Sequence, residues 1–208
     1  MQEIGLFPLG TVLLPTERMP LHIFEPRYQE LIGECLEDDI EFGLILADDD
    51  GLREIGTRAA VVEVLDRLED GRLNVVVEGR ERFRVRELTS GRSFQTGEVE
   101  PLRDDADDEE PAVEAVEGAL VLMRRLAELA GADVEGLEVT TDTPSFELAA
   151  RVEFDPELKQ RLLELRSESE RLATLTDLLE RAARMLELRQ IGERSAQTNG
   201  KIPHPPQD

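Results

Sequence analysis

Near residue 103 the hydrophobic period of this chain changes, and that change constrains the fold more than any other feature. Before it, short apolar runs rich in β-branched residues are separated by Gly, Asp and Pro. After it come long segments of Leu, Ala, Glu and Arg. A period of two belongs to strands and one of 3.6 to helices, so the sequence implies an α+β protein, strands first and helices second. Between the halves lies Arg103–Glu110, RDDADDEE, with six acids in eight residues. Like charges at that density resist packing, and the run reads as a solvated linker. It matches no EF-hand pattern, so no metal is assigned to it. The expected organisation is a β-barrel over 1–102, the acidic linker over 103–110, a helical bundle over 111–194 and a disordered tail over 195–208.

Within the first half, Glu3–Leu9, Thr11–Leu14 and Leu21–Phe24 read as strands joined at Pro and Gly. Pro26 opens a helix at the turn where its missing N–H costs nothing. Tyr28, Leu31, Ile32, Cys35 and Leu36 form its apolar stripe, and Asp38-Asp39 end it. Glu41–Ala47 is a further strand. Ala59–Leu68 and Leu73–Glu78 flank Glu69-Asp70-Gly71-Arg72, a hairpin signal because Asp-Gly tolerates positive φ. Glu81–Leu88 and Phe94–Glu100 complete about six strands, enough for a small closed or half-closed barrel. In the second half a helix over 111–130 is closed by Gly131. Thr143-Pro144 and Asp155-Pro156 start two shorter helices, and Ser167-Glu168-Ser169-Glu170 forms a capping box before a long one. Amphipathic helices of this length bury their stripes against one another, hence the bundle.

Charge and composition narrow the function. The chain carries 47 acidic and 24 basic side chains, a formal net charge of -23. Such a balance repels phosphate backbones and anionic lipid, which disfavours nucleic-acid and membrane partners. The single cysteine excludes an internal disulfide framework and fits a reducing compartment. No signal segment or membrane span is evident, so a cytoplasmic location is expected.

The sequence carries no recognisable catalytic motif. A P-loop needs Gly-Lys followed by Ser or Thr, whereas the only lysines, Lys159 and Lys201, lie in other contexts, so no Walker A motif is present. Lys159 sits in a charged helical run and Lys201 in the tail, so neither suits a Ser–Lys peptidase dyad. His22 and His204 are the only histidines. With His204 in the tail a triad could be built only around His22, which Leu21 and Ile23 flank within a strand as for a packed or surface imidazole. One cysteine with one ordered histidine cannot close a zinc site. Cys35 falls on an apolar stripe as buried filler. No enzyme activity, cofactor or metal is therefore expected. The one concentrated basic feature is Arg80, Arg82, Arg84 and Arg86, which period two places on one strand face. Arg82, Arg84 and Arg86 are the candidate binding residues, for RNA or an acidic peptide. The plainer reading is cross-strand pairing with carboxylates.

The opening segment carries a family resemblance. Leu6-Phe7-Pro8-Leu9-Gly10, Val12-Leu13-Leu14-Pro15 and Pro20-Leu21-His22-Ile23-Phe24-Glu25-Pro26-Arg27-Tyr28 are similar to the Lon protease N-terminal (substrate-binding) domain family in its stand-alone bacterial form. Gly56-Thr57 and the stretch GRERFRV from Gly79 resemble later landmarks of the same family. The resemblance implies a PUA-like β-barrel followed by a helical bundle. It also implies a non-catalytic module that recognises unfolded or exposed polypeptide, with a protease or chaperone as a further partner. An RNA-binding PUA-like protein using the Arg80–Arg86 face is the alternative. The family supplies no catalytic residues. At its motif positions Pro8, Pro15, Pro20 and Pro26 are expected to fix turns, while Glu25, Arg27 and Tyr28 hold the first helix to the barrel beside Phe24.

Overall fold

The structure, a computed structural model, describes residues 1–106, 108–133 and 138–199, the last eight as helical backbone alone. The elements are β1 (Gln2–Leu9), β2 (Arg18–Ile23), α1 (Pro26–Asp38), β3 (Phe42–Asp48), β4 (Gly51–Arg67), β5 (Leu73–Thr89), β6 (Thr96–Pro101), α2 (Val113–Ala130), α3 (Pro144–Ala149), α4 (Pro156–Glu164) and α5 (Glu168–Asn199). They form two compact units. One holds Met1–Glu110 with Val139–Arg171, the other Pro111–Glu138 with the chain from Leu172 on. The expected bundle over 111–194 is thus shared between the units. α5 continues as helix through Ser195 to Asn199, so the tail expected to be disordered begins helical; residues 200–208 lie outside the described ones.

In the first unit the strands lie in the order β2-β5-β4-β3-β1-β6, and β5 also pairs with β6. That extra pairing closes β1, β3, β4, β5 and β6 into an uneven ring and leaves β2 outside it. β5 manages both roles because it is long. Its first half pairs with β2 from Leu73 to Glu78 and its second half with β6 from Phe83 to Thr89. Inside the ring Leu6, Ile45, Phe83 and Val99 are fully buried. α1 lays Tyr28, Leu31, Ile32 and Cys35 on a second apolar cluster, as its stripe predicts, and the Tyr28 ring stacks on Phe7 at 4.0 Å.

Local chemistry explains several joins. Gly71 (φ 86°) supplies the left-handed residue of the β4–β5 hairpin. Gly79 serves close approach instead: a Cβ there would lie 2.1 Å from the Leu14 carbonyl oxygen. The loop crosses at that point, with the Thr16 amide donating to the Gly79 carbonyl and the Gly79 amide to that of Glu17, both at 2.9 Å. The segment from Thr11 to Leu14 is correspondingly irregular rather than a strand, although Val12, Leu13 and Leu14 are buried.

The proline expectations are partly corrected. Pro15 lies in the β1–β2 loop and Pro26 at the start of α1, but Pro8 and Pro20 stand inside strands. Each occupies a position where the missing N–H costs no ladder bond. β1 pairs with β6 over Gln2–Gly5 and with β3 over Leu6–Leu9, so Pro8 has a sheet neighbour on one side only. Pro20 is on the unpaired edge of β2.

The second unit is built on α2 and the body of α5. Leu122 lies near Ala183, Arg125 pairs with Glu187, and Gln190 donates to the Leu129 carbonyl at 2.9 Å. Residue numbers rise together, so the two helices run side by side in the same direction. Parallel neighbours cannot be joined by a short turn, and the connection between them is the excursion that carries α3 and α4.

Candidate functional site

The first unit contains a groove beside β2. In an antiparallel ladder, residues that exchange hydrogen bonds with the partner strand alternate with residues that turn their N–H and C=O away. The Gly79–Glu17 bond sets the phase: Met19, Leu21 and Ile23 bond to β5, and Arg18, Pro20 and His22 face outward. β2 has no other strand neighbour, and among the described residues nothing hydrogen-bonds to those outward groups. Opposite Arg18–Pro20 runs the segment from Ala150 to Phe154, and the space between measures about 540 Å³. The amides of Glu153 and Phe154 likewise meet no acceptor among the described residues. Apolar surface comes from Met19, Pro20, Val152 and Phe154. The motif residues lie just past the far end of the strand. His22 stacks on Phe24 at 5.9 Å and shares a 2.6 Å hydrogen bond with Asn74, and the Phe24 ring is 60% exposed. Arg27 bonds Glu25 at 2.9 Å and lies over the Tyr28 ring, so Tyr28 alone of the three reaches the barrel core.

The floor of the groove is held by Lys159, a residue sequence reasoning set aside as part of a charged helical run. It is 6% exposed, donating to the Val12 carbonyl at 3.0 Å and to Glu17 Oε1 at 2.5 Å. The other Glu17 oxygen accepts from the Leu14 amide at 2.8 Å. Lys159 therefore clamps the β1–β2 loop to α4. Both charges are consumed in that clamp.

The arginine row is broken rather than continuous: the register of β5 against β4 shifts between Gly79 and Arg82, which takes Arg80 out of phase with Arg82, and the face that holds Arg82 is not open. Arg82 is 6% exposed and donates to the carbonyls of Leu163 (2.8 Å) and Leu165 (2.5 Å) and to Asp104. Arg84 is half-buried with an unpartnered Nε, while Arg86 is exposed and pairs across the strands with Glu100. Arg82 is thus unavailable as a binding residue, because the end of α4 covers it.

Arg82 belongs to a buried network that the sequence did not reveal. Arg171, wholly buried, uses all five of its N–H donors: Nε to Ser145 Oγ (3.1 Å), Nη1 to Asp104 (2.7 Å) and the Leu165 carbonyl (2.8 Å), Nη2 to Asp104 (2.6 Å) and Glu168 (2.6 Å). Glu168 also accepts from the amide and hydroxyl of Ser145, each at 2.7 Å. Phe146 lies under both guanidiniums, at 4.4 Å from Arg171 and 5.2 Å from Arg82. Burial pushes the Asp104 carboxyl up, but the flanking Arg171 and Arg82 outweigh it and hold the group below its ordinary range. The acidic run is therefore more than a solvated linker. Asp104 is the counter-ion of two buried arginines, and Asp108 binds the Glu168 amide (2.6 Å) and Ser167 hydroxyl (2.7 Å) at the start of α5.

Among the described residues no group of three or more His, Cys, Asp or Glu is placed to hold a metal ion. Among the described residues no helix is long and apolar enough to cross a membrane. Burial, with Glu34 adding to it, pushes the Cys35 thiol up to about 12. Lys201 and His204 lie outside the described residues.

Comparison with known proteins places this architecture. The family model for the ATP-dependent protease La (LON) substrate-binding domain matches residues 3–181. Lon protease of Paraburkholderia phytofirmans is 31% identical over 97% of this chain and 27% of its own length; Lon protease 2 of Myxococcus xanthus is 29% identical over 90% and 24%. The chain thus spans about a quarter of the length of these relatives. The Lon N-terminal domain protein of Xanthomonas campestris superposes with a TM-score of 0.65 at 28% identity, covering 84% of this chain and 97% of that one. The N-terminal domain of Mycobacterium avium complex Lon protease shares the fold, with a TM-score of 0.65 at 19% identity, covering 86% and 98%. This chain belongs to the LON substrate-binding domain family.

Proposed function

We propose that this protein binds exposed segments of other polypeptides and leaves their cleavage to a protease. The family match over residues 3–181 carries the reading, since the matched domain is the one named for substrate binding. The groove beside β2 supports it: apolar side chains and unpaired backbone groups line one concave surface. A non-catalytic role is supported by the state of the ionisable groups. Lys159 is committed to Glu17 and a carbonyl, and the Cys35 thiol is far from forming a thiolate at neutral pH.

Fluorescence anisotropy tests the proposal directly. Labelled lactalbumin, reduced and carboxymethylated so that it stays unfolded, should bind saturably, and the folded, disulfide-intact protein should not. Equal behaviour of the two forms would refute the reading.

A further inference from the structure

We infer that the outward edge of β2 is where polypeptide is bound, by addition of an extended segment as a further strand. The inference rests on the polypeptide-binding reading above and names its site and the class of ligand. β2 stands outside the ring, and among the described residues its backbone hydrogen-bonds to β5 alone, so its other side has no partner there. Three carbonyls, of Arg18, Pro20 and His22, and two amides, of Arg18 and His22, face outward at the two-residue repeat of a strand. A row with that repeat is complementary to another extended backbone, which is what fixes the occupant. The facing wall agrees, since Glu153 and Phe154 line the groove and their amides meet no acceptor among the described residues. Side chains specify the ligand further. Met19 and Leu21 are half-buried against the core, while Val152 and Phe154 are half-buried across from them. An added strand with apolar side chains at alternate positions would extend that surface, whereas its other face would meet water beside Arg18 and His22.

Pro20 refines the geometry. It occupies an outward position and removes the central donor, so the edge offers more acceptors than donors. The bound strand must donate more hydrogen bonds than it accepts. Binding should therefore depend strongly on the amide hydrogens of the ligand.

The test uses the full chain and an acetylated seven-residue peptide of alternating valine and threonine, beside a counterpart methylated at every backbone nitrogen. The plain peptide should slow hydrogen exchange at the Arg18 and His22 amides while leaving the already bonded Met19 and Leu21 amides unchanged. The methylated peptide should do neither. His22→Pro removes one outward amide at a position that, like Pro20, makes no internal ladder bond, so the fold is retained. It should weaken binding about fivefold to tenfold, the value of one hydrogen bond. His22→Ala keeps the amide, loses the same side-chain contacts and should bind as the native chain does. If unfolded lactalbumin binds but the Arg18 and His22 amides stay unprotected and His22→Pro binds normally, strand addition is wrong and the polypeptide-binding reading stands. If neither lactalbumin nor the peptide binds the native chain, both readings fall together.

Discussion

Asp104→Ala should be among the most damaging single changes in the first unit, although it removes one acid from a run of six. Arg82, Arg171, Asp104 and Glu168 carry charges that cancel, and the two guanidiniums are 6% and 0% exposed. Taking away Asp104 leaves two buried cations with Glu168 as their remaining carboxylate. Breaking a buried pair in this way costs about 3–5 kcal/mol. The Asp104 side chain is 26% exposed, so water can enter the vacated space and the lower end, about 3 kcal/mol, applies. For a chain of this size that corresponds to a fall of about 6–12 °C in Tm. Urea unfolding followed by tyrosine emission is the suitable assay, because Tyr28 is the only tyrosine, there is no tryptophan, and Tyr28 lies in the first unit. The pairing of Arg82→Leu with Asp104→Ala supplies the control. With one cation and one anion removed, the double variant should be about 2 kcal/mol more stable than the sum of the singles. The carboxyl of Asp104 is held below its ordinary 3.8 in the folded state, so its contribution is complete above that value. It fades as pH falls through the lower folded value, and the deficit of Asp104→Ala relative to the native chain should narrow in acid accordingly. A loss under about 1 kcal/mol, or strict additivity in the double variant, would refute the assignment of Asp104 as counter-ion.

Three further outcomes are expected. Gly79→Ala drives a methyl into the Leu14 carbonyl and should destabilise the first unit by about 2–3 kcal/mol in the same urea assay. Lys159→Met strands the Glu17 carboxylate beside α4 and should cost about 2–3 kcal/mol, most of it recovered when Glu17→Gln is added. Cys35, with its thiol pushed up to about 12, should react with a disulfide reagent at pH 8 about a thousandfold more slowly in the native chain than in urea.

Local signals were readable in the sequence where the chemistry itself is local. The stripe from Tyr28 to Cys35, the Asp70-Gly71 turn, Pro26 at a helix start and Ser167 accepting from the Glu170 amide at 3.1 Å all involve neighbours within a few residues. Features that depend on distant chain were not. β4 and β5 are single strands of 17 residues, but register shifts at Thr57/Ala59 and Val61/Glu63 interrupt their alternation and made β5 look like two segments. The arginine spacing showed neither the register shift that separates Arg80 from Arg82 nor that Leu163 and Leu165, 81 and 83 residues away, would cover Arg82. Lys159 meets Val12 across 147 residues, and Asp104 meets Arg171 across 67. Nothing near either residue distinguishes it from its solvated neighbours. The free edge of β2 was equally hidden, because which strand stands outside a ring is a property of pairing order.

That open edge has a consequence for the protein among copies of itself. Unpaired strands invite like strands, and the usual outcome is edge-to-edge association and eventually precipitation. Here Pro20 spoils the self-complementary pattern, since two such edges would bring together surplus acceptors. A formal charge of -23 on every molecule adds mutual repulsion at long range. Both features oppose pairing of the β2 edge with the same edge of a second copy, and more strongly the more crowded the copies are.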